Sequence, residues 1–252
     1  MSNLYWLTEV QMARLRPYFP KSQGRPRVDD RRILSGIIFI NRNGLRWCDA
    51  PAAYGPPKTL YNRWKRWSDM GVFARIMTGL AAEAPDNKTI SIDATYLKAH
   101  RTASSLGLKK GGGGRLIGQT NGGMNTKLHA VTDTSGRPIR LFITAGQVSD
   151  YTGAMALLSS FPNAEWLLAD RGYDADWFRE ALSERGTRPC IPGRKSRKKV
   201  VRYDKRRYKR RNRIERMFGR IKDWRRVATR YDRCPKVFLS AIALAATVIF
   251  WL

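Results

Sequence analysis

Acidic residues and histidine are scarce in this 252-residue chain: 20 Asp and Glu stand against 48 Lys and Arg, and there are two histidines. The acid shortage leaves a formal net charge of +28, which excludes a neutral metabolic enzyme. A field of that sign points to a polyanionic partner, nucleic acid ahead of an anionic membrane surface. With only His100 and His129, a histidine-rich metal site is excluded. Cys48, Cys190 and Cys234 are far apart and form no Cys-x-x-Cys pair. A disulfide framework and a zinc ribbon are thereby disfavoured, and a reducing cytoplasm suits the chain. No apolar run reaches the roughly 20 residues that cross a bilayer. The nearest, residues 238–252, reads as a buried terminal helix. The first nine residues lack the basic region and apolar core of a signal peptide.

What is present is a foldable chain, 42% hydrophobic and 27% charged, so the charge is not a mark of disorder. The charge is also unevenly placed. Residues 185–233 hold 22 Lys and Arg but 4 Asp and Glu, contributing +18 of the +28. Within that basic segment Ile214, Met217, Phe218, Ile221 and Trp224 recur at helical spacing, which predicts a basic helix with a buried stripe. A looser stretch, 193–200, precedes it. Tyr203, Tyr208 and Trp224 among the basic residues suit phosphate contacts and base stacking.

Residues 1–85 read as helices. Thr8 and Gln11 form a capping box for a helix to about Tyr18, and Asp29 or Asp30 caps a second one that Gly44 stops. After the Tyr54-Gly55-Pro56-Pro57 turn, Thr59 is expected to cap a helix with Leu60, Tyr61, Trp64 and Trp67 on one side and Arg63, Lys65 and Arg66 on the other. Residues 72–84 give a further helix. Two helices about a Gly/Pro turn, the second basic, allow a helix-turn-helix or a plain bundle with a basic surface. From Thr89 the period changes to two, placing Ile90, Ile92 and Ala94 on one face and Asp93 on the polar one. The Gly-rich loop 104–124 lacks the Gly-Lys-Ser/Thr ending of a P-loop and does not indicate a nucleotide site. Strands over 125–132 and 139–144 are joined by a hairpin. A helix over 154–160, an apolar strand ending on Asp170, a helix over 174–185 and a strand over 189–191 follow. The order predicts a mixed α/β domain over 86–252, one sheet flanked by helices.

Asp93 and Asp170 fall on neighbouring strands of such a sheet, and the basic helix can bring Glu215 over them. Three clustered carboxylates repel one another unless divalent cations neutralise them, and hard Mg²⁺ prefers oxygen ligands. Paired ions at such a cluster serve phosphoryl transfer. Taken singly, each carboxylate is equally a surface group or salt-bridge partner, and Asp150 is a rival ligand whose alternative role is a helix N-cap. Tyr208, Arg211 and Lys222 lie at −7, −4 and +7 from Glu215 and share its helix face. That face suits a metal-bound DNA strand with flanking phosphate contacts.

The Tyr208, Arg211, Glu215 and Lys222 spacing resembles the signature of bacterial insertion-sequence transposases of the DDE type, in every residue and interval. Asp170-Arg171-Gly172-Tyr173 and Ile92-Asp93-Ala94-Thr95 resemble the segments around the first two acids of that family. Gly122 to Lys127, followed by His129-Ala130-Val131, is similar to its next strand, with Asn125 in place of a more usual Thr. Gly24-Arg25-Pro26-Arg27, Arg46-Trp47 and Tyr61-Asn62-Arg63-Trp64 resemble the helical domain of the insertion sequence five family. The resemblance implies a ribonuclease-H-like catalytic domain with Asp93, Asp170 and Glu215 as the metal-binding catalytic triad, taking two Mg²⁺ ions with Mn²⁺ as a substitute. It implies that the 45 residues from Asp170 to Glu215 leave little room for a large insertion domain. It further implies a transposase that cuts at the inverted-repeat ends of its element and joins 3′-hydroxyl ends to target DNA. Tyr208, Arg211, Lys222, Arg171 and Lys127 would contact DNA there, and Lys58, Arg63, Lys65 and Arg66 would do so from the helical domain. Double-stranded DNA is the expected partner, with a homodimer or larger synaptic assembly at the bacterial nucleoid and no membrane. A ribonuclease-H-like nuclease without strand transfer, and a non-catalytic DNA-binding derivative, are the alternatives.

Overall fold

A computed structural model describes residues 4–21, 29–83, 85–104, 113–197 and 200–252. Gly24-Arg25-Pro26-Arg27 and residues 105–112 of the Gly-rich loop lie outside the described residues, while the far part of that loop holds a short strand, Gly118–Thr120, and the start of the next. In chain order the elements are α1 (Glu9–Leu15), α2 (Asp30–Asn43), α3 (Pro57–Asp69), α4 (Val72–Glu83), β1 (Thr89–Ala99), α5 (Arg101–Ser104), β2 (Gly118–Thr120), β3 (Gly123–Thr132), β4 (Pro138–Ala145), α6 (Asp150–Leu158), β5 (Trp166–Leu168), α7 (Asp176–Glu184), β6 (Arg188–Cys190), α8 (Lys205–Tyr208), α9 (Asn212–Lys222), α10 (Arg225–Ala228), β7 (Thr229–Arg230) and α11 (Pro235–Phe250). They fall into two compact units. One is helical and draws on residues up to 80, a short stretch from 100, and 221–252; the other contains the sheet and runs from 81 to 99 and on to 220.

In the helical unit the reciprocal Thr8–Gln11 box starts α1 as expected, and a 3-10 turn over Arg16–Tyr18 continues it. Asp29 caps α2 by accepting from the Arg31 N–H, and Gly44, with φ +73°, ends it in the left-handed region glycine tolerates. The third helix departs from expectation. It begins at Pro57, not after a Thr59 cap, because proline at the first helical position has its φ preset and no N–H to satisfy. Ile33, Leu34, Ile37, Leu60, Trp64, Trp67, Phe73 and Ile76 form its core with Phe238, Ala241 and Ile242 of α11. The Trp47 ring packs against Tyr61 and Trp64, with centroids 5.6 and 6.1 Å away. The apolar C-terminal run is the buried helix the sequence predicts, and among the described residues no helix is long and apolar enough to cross a membrane.

In the sheet unit the strand order is β2-β3-β1-β5-β6, with β4 also paired to β3. β1 runs antiparallel to β3 and parallel to β5, which is parallel to β6. The first four residues of β1 are all buried, so both its faces are covered where an alternating pattern predicted one polar face. The β1–β5 pairing stops at Ser91, whereas the β1–β3 pairing continues to Lys98, leaving an overhanging ribbon beyond β5. α6 is capped by Ser149, so Asp150 is its first residue and not its N-cap. The basic helix is likewise not one continuous α-helix. A 3-10 turn over Lys209–Arg211 separates α8 from α9, while Ile214, Met217, Phe218 and Ile221 are buried as their spacing requires.

Candidate functional site

Three elements of the sheet unit bring the predicted carboxylates together. Asp93 lies two residues beyond the last β5-paired position of β1. Asp170 follows β5 and caps the short turn Arg171–Tyr173, its Oδ1 accepting from the Gly172 N–H at 2.8 Å. Glu215 stands in the first turn of α9. Parallel pairing sets the end of β5 beside the first part of β1, which is how residues 77 apart in sequence come near one another.

Arg211 joins them. Its Nη1 donates to Asp93 Oδ2 at 2.7 Å, and its Nη2 donates to Glu215 Oε1 one helical turn on. Both partners of the first bond are mostly withdrawn from water, the side chains being 17% and 16% exposed, whereas Glu215 is 49% exposed. Burial pushes the Asp93 carboxyl up to about 6, and the nearby charges of Asp170 and Glu215 add to the rise against the Ala94 N–H and Arg211. Burial opposes the charge on Arg211, yet Asp93, Tyr208, Glu215 and Asp170 together hold its pKa above the ordinary value. The Tyr208 ring centroid lies 5.8 Å from that guanidinium.

Lys222 lies two turns beyond Glu215 on α9, and burial lowers its pKa. Arg171 is exposed in its turn. Lys127 is placed differently from the expectation that it contacts DNA. Its side chain is 7% exposed, and its ammonium donates to Val148 O at 2.6 Å and Asp150 Oδ1 at 3.1 Å. This pairing also commits Asp150, the rival carboxylate. In the helical unit Lys58 and Arg66 are exposed, but Arg63 is paired to Asp30 at 2.5 Å and Lys65 to Asp69 at 2.6 Å. Tyr173, marked by the sequence only through its motif, is buried, and its hydroxyl has no hydrogen-bond partner among the described residues. Burial first, then the charges of Asp150, Asp93 and Asp170, raise its pKa well above the ordinary tyrosine range. Only tertiary placement could have singled it out.

Two family models match, one described as "Putative transposase of IS4/5 family (DUF4096)" over residues 7–77 and the other as "Transposase DDE domain" over residues 84–250. The chain belongs to the DDE transposase family. Among relatives it is 37% identical over 130 residues to the "Putative transposase for insertion sequence element IS6501" of Brucella ovis, covering 51% of this chain and 99% of that one. It is 28% identical over 137 residues to the "Putative transposase for insertion sequence element IS402" of Burkholderia cepacia, covering 50% of this chain and 63% of that one. The piggyBac transposase, solved in a synaptic complex with hairpin DNA, aligns at a TM-score of 0.53 and 8% identity over 94% of this chain and 68% of that one. That likeness is one of fold, the ribonuclease-H-like fold of the transposases.

Transposase DDE domains use divalent metal ions. The donor set here fits such an ion in kind, since carboxylate oxygens are the hard ligands that Mg²⁺ and Mn²⁺ take. As the side chains stand, no group of three or more acidic, His or Cys residues among the described ones is arranged to hold a metal. The Arg211 guanidinium is bonded to two of the three carboxylates, Asp93 and Glu215.

Proposed function

We propose that this transposase binds the inverted-repeat ends of its own insertion sequence, cuts a strand there, and joins the freed 3′-hydroxyl to target DNA. Asp93, Asp170 and Glu215 would hold two divalent cations, Mg²⁺ with Mn²⁺ as a substitute. Bound ions would supply Lewis-acid stabilisation of charge on the attacking and leaving oxygens. In the first step a water oxygen bonds to phosphorus and the bond to the 3′-oxygen breaks, leaving a 3′-hydroxyl. In the second that hydroxyl bonds to a target phosphorus, and one phosphodiester bond of the target breaks. Each step exchanges one phosphorus–oxygen bond for another and needs no nucleotide cofactor.

The observation that carries this reading is one guanidinium bonded to carboxylates from β1 and α9, with the charge of Asp170, at the end of β5, acting on both Asp93 and Arg211. Arg211 and Lys222 would hold backbone phosphates, Arg171 would flank them, and Tyr208 would pack against the strand. Lys58 and Arg66 would contact the ends from the helical unit, and two copies would be needed to hold two ends together. Asp93→Asn tests the site. End cleavage in Mg²⁺ should be abolished and end binding retained; retained cleavage would remove Asp93 from the centre. Joining of a pre-cut 3′-end by the native chain separates a transposase from a nuclease without strand transfer.

A further inference from the structure

The sheet unit has a second concavity whose chemistry contrasts with the rest of the chain. A cavity of about 590 Å³ opens beside the β2–β3 hairpin, lined by Tyr96, Gln119, Thr120, Asn121, Asn125 and Gln147 together with glycines. None of its lining residues is charged, in a chain of net charge +28. Phosphate groups are held by Lys, Arg or helix N-termini, so a charge-free lining does not select a phosphate. Side-chain amides with an aromatic ring instead match the needs of a nucleobase, whose edge takes paired donors and acceptors and whose face stacks.

The lining is built for that task. Tyr96 is 50% exposed, and Lys127, its cross-strand neighbour on the same face of the sheet and itself tied to Asp150, sits 5.0 Å from its ring centroid. Asn125 is fixed by donating to Thr120 Oγ1 at 2.6 Å and to Gly123 O at 2.7 Å. The Gln147 side chain lies across Gly118, where a Cβ would fall 1.4 Å from its Oε1, so glycine is required for the amide to rest there. Tyr96 is on the overhanging ribbon, three residues past Asp93 and therefore about 10 Å farther along β1 on the opposite face. A base reaching it belongs to a nucleotide beyond the scissile one that passes round the ribbon.

We infer that this cavity receives an unpaired nucleobase of the DNA strand engaged at Asp93, stacked on Tyr96 and bonded by the Gln119, Asn121 and Gln147 amides. The inference rests on the transposase site proposed above but concerns binding, so the two can fail separately. The test is fluorescence anisotropy of the full chain, in EDTA, with a fixed-sequence duplex that is blunt, carries a three-nucleotide 3′ extension, or carries the same extension without bases. The native protein should bind the base-bearing extension about tenfold more tightly than the abasic one. Tyr96→Ala should erase that difference while leaving blunt-duplex affinity unchanged; Tyr96→Phe should keep it, and Gln147→Leu should reduce it. Asp93→Asn should keep it, whatever becomes of cleavage. Equal affinity of the native chain for base-bearing and abasic extensions would overturn the inference. So would a Tyr96→Ala protein that retains the difference or weakens all three duplexes alike.

Discussion

Arg211 and Asp93, 118 positions apart, meet at 2.7 Å across the centre of the sheet unit. The guanidinium thereby offsets the repulsion among three carboxylates that would otherwise have to protonate or take up cations. It also means that a divalent ion and Arg211 compete for the same oxygens. Arg211→Gln should therefore raise the affinity of the DNA-free chain for Mn²⁺ by about five- to tenfold, on the scale of one partly buried ion pair. Titration followed by the electron paramagnetic resonance of free Mn²⁺ checks this. Unchanged or weaker binding would show that the guanidinium is no competitor.

The four basic residues expected to read DNA from the helical unit should divide into two classes. Arg63 is bound to Asp30 and its guanidinium lies 5.2 Å from the Trp67 ring centroid, so Arg63→Ala should destabilise the fold by about 2 kcal/mol. Arg66 is exposed on the same helix. Arg66→Ala should leave thermal stability unchanged, weaken end binding, and reduce the slope of log affinity against log salt by about one. Measured melting temperatures and salt titrations separate the pair.

His129 gives a pH dependence. Fully buried on β3, it bonds Thr144 through Nε2 at 3.0 Å, and Gly153 of α6 closes over its Nδ1, which has no hydrogen-bond partner among the described residues. Burial lowers its pKa to about 4. Between about pH 4 and the unfolded value near 6.5, the unfolded chain binds the extra proton, so stability falls as pH falls through that window. The loss amounts to about 3 kcal/mol for the imidazole alone. Denaturant unfolding of the native chain and of His129→Asn over pH 4–7 should show a markedly shallower slope in the variant. Equal slopes would refute the assignment.

The helical stretch around Glu215 was legible because its information is local. Residues at −4 and +7 on a helix share a face whatever the chain does elsewhere, and the Arg211–Glu215 contact follows directly. The placement of Asp93 beside Asp170 was legible from strand type, through parallel pairing of β1 and β5. What stayed hidden was long-range. Nothing near Lys127 in sequence announces that Asp150 and Val148 take its ammonium, so the DNA contact that the family resemblance implied for it had no local signal against it. The same holds for Arg63 and Asp30, and for the Arg211 bridge to Asp93. The start of α3 was misjudged for a different reason, a competition between two local signals in which Pro57 outweighs Thr59.

The order of the chain and the order of its packing differ. Arg226 Nη1 donates to Leu45 O at 2.9 Å, Arg14 Nη1 donates to Trp251 O at 2.7 Å, and α11 supplies the apolar face against α2 and α3. The sheet unit is thus spliced into the helical one like a parenthesis, entered after residue 80, broken by a short return to the helical unit from 100, and closed from 221. A gene fragment stopped near residue 85 would encode four helices without the apolar helix α11 that packs on α2 and α3. A self-standing helical unit would have to be assembled from both flanks of the parenthesis, either by a short linker replacing the sheet unit or by two co-expressed pieces.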